Sequence, residues 1–153
     1  FRSLRYRLDI KYKNAPQSGQ TVCAVMQNPS YAGENVADKS VQFLENVVFQ
    51  TRKKFPQFDN AARLIIVNQF ALIQTKDFIG HEEAKGIMND SVIVKAFQES
   101  DIILIAWGSG NPYEDRKKHI LRLIDSMPDK KVFKTRMHPS RGQYDDFIQP
   151  FSL

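Results

Sequence analysis

Three uninterrupted apolar runs, at residues 22–26 (VCAVM), 64–67 (LIIV) and 102–107 (IILIAW), constrain the fold of this chain more than any other feature. A strand with one face in water alternates apolar and polar residues, so a run without alternation needs cover on both faces. A parallel strand inside a sheet flanked by helices meets that need. A weaker run at 132–137 (VFKTRM) is read as a fourth strand of this kind. The start of the chain is different. Leu4, Tyr6, Leu8, Ile10 and Tyr12 alternate with Arg5, Arg7, Asp9 and Lys11, which predicts a half-buried strand at a sheet edge or face. Residues 13–20 (KNAPQSGQ) read as a turn.

Helical signals lie between the runs. Val41, Leu44, Val47 and Val48 follow helical spacing and lead to Arg52, Lys53 and Lys54, a basic end that suits a helix C-terminus. Asn89 or Asp90 is read as the cap of a helix through Val94 and Phe97. Asn111-Pro112 is read as a cap followed by proline at the first helical position, with Ile120, Leu123, Ile124 and Met127 on the apolar face. Strands alternating with helices predict an α/β domain spanning 1–153. It would be a three-layer α/β/α sandwich around a mostly parallel, four- to five-stranded central sheet. A length of 153 residues suits one domain, and a hydrophobic fraction of 42% with 25% charged residues excludes disordered and fibrous classes.

The single cysteine, Cys23, excludes an internal disulfide and a four-cysteine zinc or iron–sulfur site. His81, His119 and His138 lack helical ligand spacing, so neither metal nor cofactor is expected. There is no G-x-S-x-G elbow, no G-x-x-x-x-G-K-[ST] and no G-x-G-x-x-G after a strand. No apolar run approaches the ~20 residues of a membrane span and no signal-peptide pattern opens the sequence, so a soluble, cytoplasmic monomer is expected. Lys and Arg number 22 against 17 Asp and Glu, a formal net charge of +5 that attracts polyanions.

Ligands on open α/β sheets bind at the carboxyl ends of the strands. Those ends carry Gln27-Asn28-Pro29-Ser30-Tyr31, Asn68-Gln69-Phe70, Trp107-Gly108-Ser109-Gly110 and His138-Pro139-Ser140-Arg141. Each segment alone is an ordinary loop, and Trp107 alone reads as core and His119 as a solvated helical residue. Together they converge on one rim.

In this order the four segments resemble the uracil-DNA glycosylase superfamily. Gln27-Asn28-Pro29 matches its first loop, Gly-x-Asp/Asn-Pro, at the polar residue and the proline, and His138-Pro139-Ser140 matches its second loop in full. Val67-Asn68 and Trp107-Gly108 match strand ends found between them. The chain from Tyr6 onward also resembles an uncharacterised bacterial family. Its landmarks are an opening Tyr-Arg strand, Asn-Pro-Ser-x-Ala, Val-Asn-x-Phe-Ala and Trp-Gly. The superfamily resemblance implies an α/β/α fold and a DNA glycosylase that flips a base and cleaves its N-glycosidic bond in base excision. The single cysteine excludes the branches with an iron–sulfur cluster.

On this resemblance the catalytic residues are Asn28, holding the attacking water, and His138, donating a hydrogen bond to the leaving base. Gln27, Ser30, Tyr31, Phe43 and Asn68 would bind the base, with Asn68 reading its polar edge and Phe43 or Tyr31 stacking on it. Ser109, Ser140, Arg136, Arg141, Lys117 and Lys118 would contact DNA phosphates. Arg2, Arg5, Arg7, Lys130 and Lys131 are further candidates for phosphate contacts. Asn cannot act as a general base, so Asn28 would orient water by hydrogen bonds. Ser30 stands where the classical enzyme has a bulky tyrosine, which leaves room for a 5-substituted pyrimidine such as a modified cytosine of phage DNA. That target implies a role in phage defence. Two rival readings are a non-catalytic nucleotide- or DNA-binding module, and a hydrolase or transferase acting on free nucleosides or nucleotides.

Overall fold

A computed structural model describes residues 3–15, 17–29, 39–51, 55–74, 78–108, 112–139 and 146–151. The described chain runs β1 (Leu8–Lys11), β2 (Gln20–Met26), α1 (Lys39–Val48), β3 (Ala61–Asn68), α2 (Glu82–Lys85), α3 (Asn89–Gln98), β4 (Ile102–Ile105), α4 (Glu114–Asp125), β5 (Lys131–Thr135) and β6 (Ile148–Pro150). One six-stranded sheet has the order β1-β3-β2-β4-β5-β6. Its four inner strands are parallel; β2, β3 and β4 fall in the apolar runs that lack alternation, and β5 in the weaker run at 132–137. β1 and β6 run antiparallel at the two edges.

The alternation of side chains along β2 and β3 divides the core in two. Val22, Ala24 and Met26 pack with Leu64 and Ile66 against Val41, Leu44, Val47 and Val48 of α1. Cys23, Val25, Ile65 and Val67 face the other way and meet Ile93, Ala96 and Phe97 of α3 and Ile120 and Ile124 of α4. Helices therefore cover both faces, as the unbroken apolar strands require. Because β2 is flanked by β3 on one side and β4 on the other, the chain reverses its direction across the sheet at β2. Crevices at the carboxyl ends of such strands are where α/β sheets bind ligands.

Several expectations need correction. The sheet is mixed and has six strands rather than four or five, because β6 is a three-residue edge strand whose sequence, IQP, carries no apolar period. Pro150 is tolerated there since an edge strand has a free side. α1 ends at Val48, short of the basic stretch 52–54, which lies outside the described residues; Gln50 follows with a positive φ of 62°. Met88 rather than Asn89 or Asp90 caps α3, and it makes no side-chain cap bond. Tyr113 occupies the cap of α4, so Pro112 precedes the helix instead of starting it, and Asn111 lies outside the described residues. His119 is not simply solvated: its Nε2 lies 3.6 Å from Asp90 Oδ2. Trp107 is core, as expected.

Candidate active site

The loop leaving β2 is stitched to the loop leaving β3. Gln69 and Phe70 donate their backbone N–H groups to the carbonyls of Met26 and Gln27, each at 2.9 Å, and Gln74 donates to Pro29 O at 3.0 Å. Asn28 completes this seam. Its Nδ2 faces the carbonyl oxygens of Gln74 at 2.8 Å, Pro29 at 3.2 Å and Leu72 at 3.3 Å. Three acceptors around one nitrogen identify it as the amide donor and tie the segment 72–74 to the first loop. Gln27 Nε2 donates to Asn28 Oδ1 at 3.1 Å, leaving that oxygen a second lone pair.

Asn68, the last residue of β3, lies on the α1 face with Ile66 and helps line a cavity of about 10 Å³. Asn28, Met26, Val41 and Arg5 also line it. A cavity of that size holds roughly one water. Only 4% of Asn68 is exposed, yet its side-chain amide makes no hydrogen bond with any described residue. The guanidinium of Arg5 makes no ion pair or hydrogen bond among the described residues either, although its backbone N–H is held by Ala71 O at 2.7 Å.

Asn89 supports Asn68 from behind. It is fully buried, and its Nδ2 donates to the backbone carbonyls of Asn68 at 2.9 Å and Gln69 at 3.0 Å. Arg116 adds two donors to Gln69 O, at 3.0 and 2.7 Å, and pairs with Asp90 at 2.8 Å. These contacts fix the end of β3. The sequence offered Asn89 only as a helix cap and gave no signal for Arg116, because each acts on backbone atoms across the fold.

His138 occupies the rim on the far side. A Cβ built on Gly108, whose φ is +80°, would come 3.1 Å from His138 Cβ, so the Trp-Gly segment leaves room for the histidine. β3 and β5 lie three strand intervals apart, about 14 Å at the backbone. The structure thus brings Asn28 and Asn68 to one cavity, and His138 is not among the described residues that line it.

The remaining candidates divide by their contacts. Phe43 packs edge to face on Phe147 with centroids 5.3 Å apart, so its ring belongs to the core rather than standing ready to stack on a base. Arg136 pairs with Asp146 at 2.7 Å, and Lys117 with Glu114 at 3.2 Å. Arg7 is bound to Asp9 and Glu99, which holds the Glu99 carboxyl below its usual range and removes Arg7 from the phosphate candidates. Lys130 Nζ donates to Gln98 O at 3.2 Å. Lys118 and Lys134 make no ion pair or hydrogen bond with any described residue. Lys134 escaped the sequence reading; its spacing of two from Val132 and Arg136 was the available signal. Ser30, Tyr31, Ser109, Ser140 and Arg141 lie outside the described residues, as does Arg2.

Residues 5–141 match the family described as "Protein of unknown function (DUF1643)". The chain belongs to this family. The matched segment encloses all four strand-end loops. No curated protein and no solved structure matches the chain. Among the described residues no helix is long and apolar enough to cross a membrane.

Proposed function

We propose that this DUF1643 protein is a DNA glycosylase that hydrolyses the N-glycosidic bond of a flipped, modified pyrimidine and leaves an abasic site. The observation that carries the reading is Asn68. Only 4% of the residue is exposed, its amide makes no hydrogen bond with any described residue, and it lines the cavity that Asn28 also lines. An amide both donates and accepts, which suits it to the polar edge of a pyrimidine.

In this reading the cavity of about 10 Å³ holds the attacking water, bound through the second lone pair of Asn28 Oδ1. The base lies on the open side, between Asn68 and His138. As the C1′–N bond breaks, the bonding electrons leave with the base and His138 stabilises the charge on its oxygen. One such donor supplies ~3–4 kcal/mol in the transition state. Water adds to C1′, and the departing base takes up the released proton. The uracil-DNA glycosylase superfamily supplies the precedent for this division of labour. Two features of the fold agree with the resemblance: helices on both faces, and the parallel order in which the first core strand lies between the second and the third. Extruding the base costs a few kcal/mol, offset by contacts to flanking phosphates.

The test uses oligonucleotides carrying 5-hydroxymethylcytosine, its glucosylated form, uracil or a mismatch, assayed for alkali-labile abasic sites. A modified pyrimidine should be released, and Asn68→Ala and His138→Ala should abolish release while the fold is kept. No product from any substrate refutes the proposal.

One observation favours a second reading, a non-catalytic nucleotide- or DNA-binding module. The Asn28 amide nitrogen is engaged with carbonyls of its own loops, as expected of a residue that shapes a pocket. That reading predicts binding without product, and binding that survives His138→Ala.

A further inference from the structure

A second opening at this end of the molecule lies on the opposite face from Asn68. Side chains of a strand alternate, so Ile105 and Trp107 share a face with Val132, Lys134 and Arg136 of the adjacent β5 segment. On α4, Glu114, Lys117, Lys118 and Leu121 recur at spacings of three and four and form one stripe. Ile120 and Ile124 anchor the helix in the core, and the stripe beside them faces the strand residues across a pocket of about 270 Å³. Trp107, Leu121 and Phe151 supply an apolar wall, and four cations supply the rim.

The charges do not cancel. Glu114 answers Lys117 and Asp146 answers Arg136, but Lys118 and Lys134 have no partner among the described residues. Two ammonium groups with no described partner, beside an apolar wall, match a ligand with one doubly charged head and a flat apolar body. A phosphomonoester carries about −1.5 to −2 at neutral pH. The volume lies just below the usual range for small-molecule sites, about 300–1,000 Å³, so one nucleotide unit approaches its limit.

We propose that the pocket between α4 and β5 binds the terminal phosphomonoester of a nucleotide, with the phosphate on Lys118 and Lys134 and the base against Trp107, Leu121 and Phe151. Two sources share this chemistry, a free mononucleotide and the 5′-phosphorylated end of a DNA strand. The inference goes beyond the glycosylase reading and does not depend on it.

Calorimetric titration of the full chain at low salt tests it. The probes are thymidine 5′-monophosphate and thymidine, then an oligonucleotide with a 5′-phosphate and the same strand with a 5′-hydroxyl. In at least one pair the phosphorylated ligand should bind at least tenfold more tightly, and the pair that shows it names the source. Lys118→Ala with Lys134→Ala should remove that advantage. Both lysines are exposed, so the double variant should fold normally, as circular dichroism will verify. Lys130→Ala with Lys131→Ala removes the same charge elsewhere and should leave the advantage intact. Asn68→Ala should also leave it intact, which separates failure of this site from failure of the glycosylase reading. Equal binding with and without phosphate in both pairs, or equal loss in the two lysine double variants, overturns the proposal.

Discussion

Replacing Asn28 with Asp tests whether this residue is first of all a clamp. The uracil-DNA glycosylase superfamily, which this loop resembles, allows Asp at the matching position, so under the proposed function chemistry alone would predict a gain in catalytic power. The geometry predicts damage. Asn28 Nδ2 lies 2.8 Å from Gln74 O and within 3.3 Å of Leu72 O and Pro29 O, where an aspartate would place an anionic oxygen among three carbonyl oxygens. Two N–H donors disappear, at about 0.5–1.5 kcal/mol each, and a part-buried acceptor is left unsatisfied at ~1–3 kcal/mol. The expected loss is therefore about 2–6 kcal/mol at pH 7. For a chain of this size each kcal/mol lowers Tm by about 2–4 °C. The sign of the pH dependence follows from the same contacts. Protonation restores one donor, so the folded-state pKa of the new carboxyl lies above its unfolded value of ~3.9. The folded state then binds more protons than the unfolded one, and the penalty relative to the native protein grows as pH rises through that window. Thermal and urea unfolding of both proteins at pH 4 and pH 7 measures it. An Asp variant as stable as the native protein at pH 7, or a difference unchanged between the two pH values, would refute the clamp.

Asn89→Ala deletes two donors to buried carbonyls and should cost about 2 kcal/mol in urea unfolding, with little change if the carbonyls are instead reached by water. Gly108→Ala combines a φ of +80° with a Cβ 3.1 Å from His138 Cβ, so it should destabilise by ~1–2 kcal/mol and move the His138 ring resonances in NMR spectra. Unmoved resonances would show that Gly108 does not hold the histidine in place. Cys23 is fully buried, and desolvation pushes its thiol far above the usual range. Alkylation at pH 8 should therefore proceed only under denaturing conditions, and rapid labelling of the folded chain would contradict its burial.

The local sequence determined which segments form the main elements. Runs such as IILI in β4 suit strands covered on both faces, and the 3.6-residue period of Val41, Leu44 and Val48 suits a helix that turns one stripe toward the sheet. The convergence of four strand-end loops on one rim was legible for the same reason, since parallel strands joined by helices all end at one edge. β6 was not legible, because three residues with a proline carry no period and become a strand only when β5 supplies the partner.

The tertiary structure alone decided what each polar residue does. In sequence, Asn28, Asn68 and Asn89 are equivalent amides at loop or helix ends. In the fold the first binds neighbouring carbonyls, the third props up the strand end, and only Asn68 has its amide free of described partners. The lysines divide in the same way: Lys117 meets Glu114 along its helix, whereas Lys118 and Lys134, distant in sequence, line one pocket with no partner among the described residues. Periodicity is a local property, set by the geometry of one element. Hydrogen-bond partners and charge balance depend on which elements become neighbours, and strand order and register settle that only once the sheet has formed.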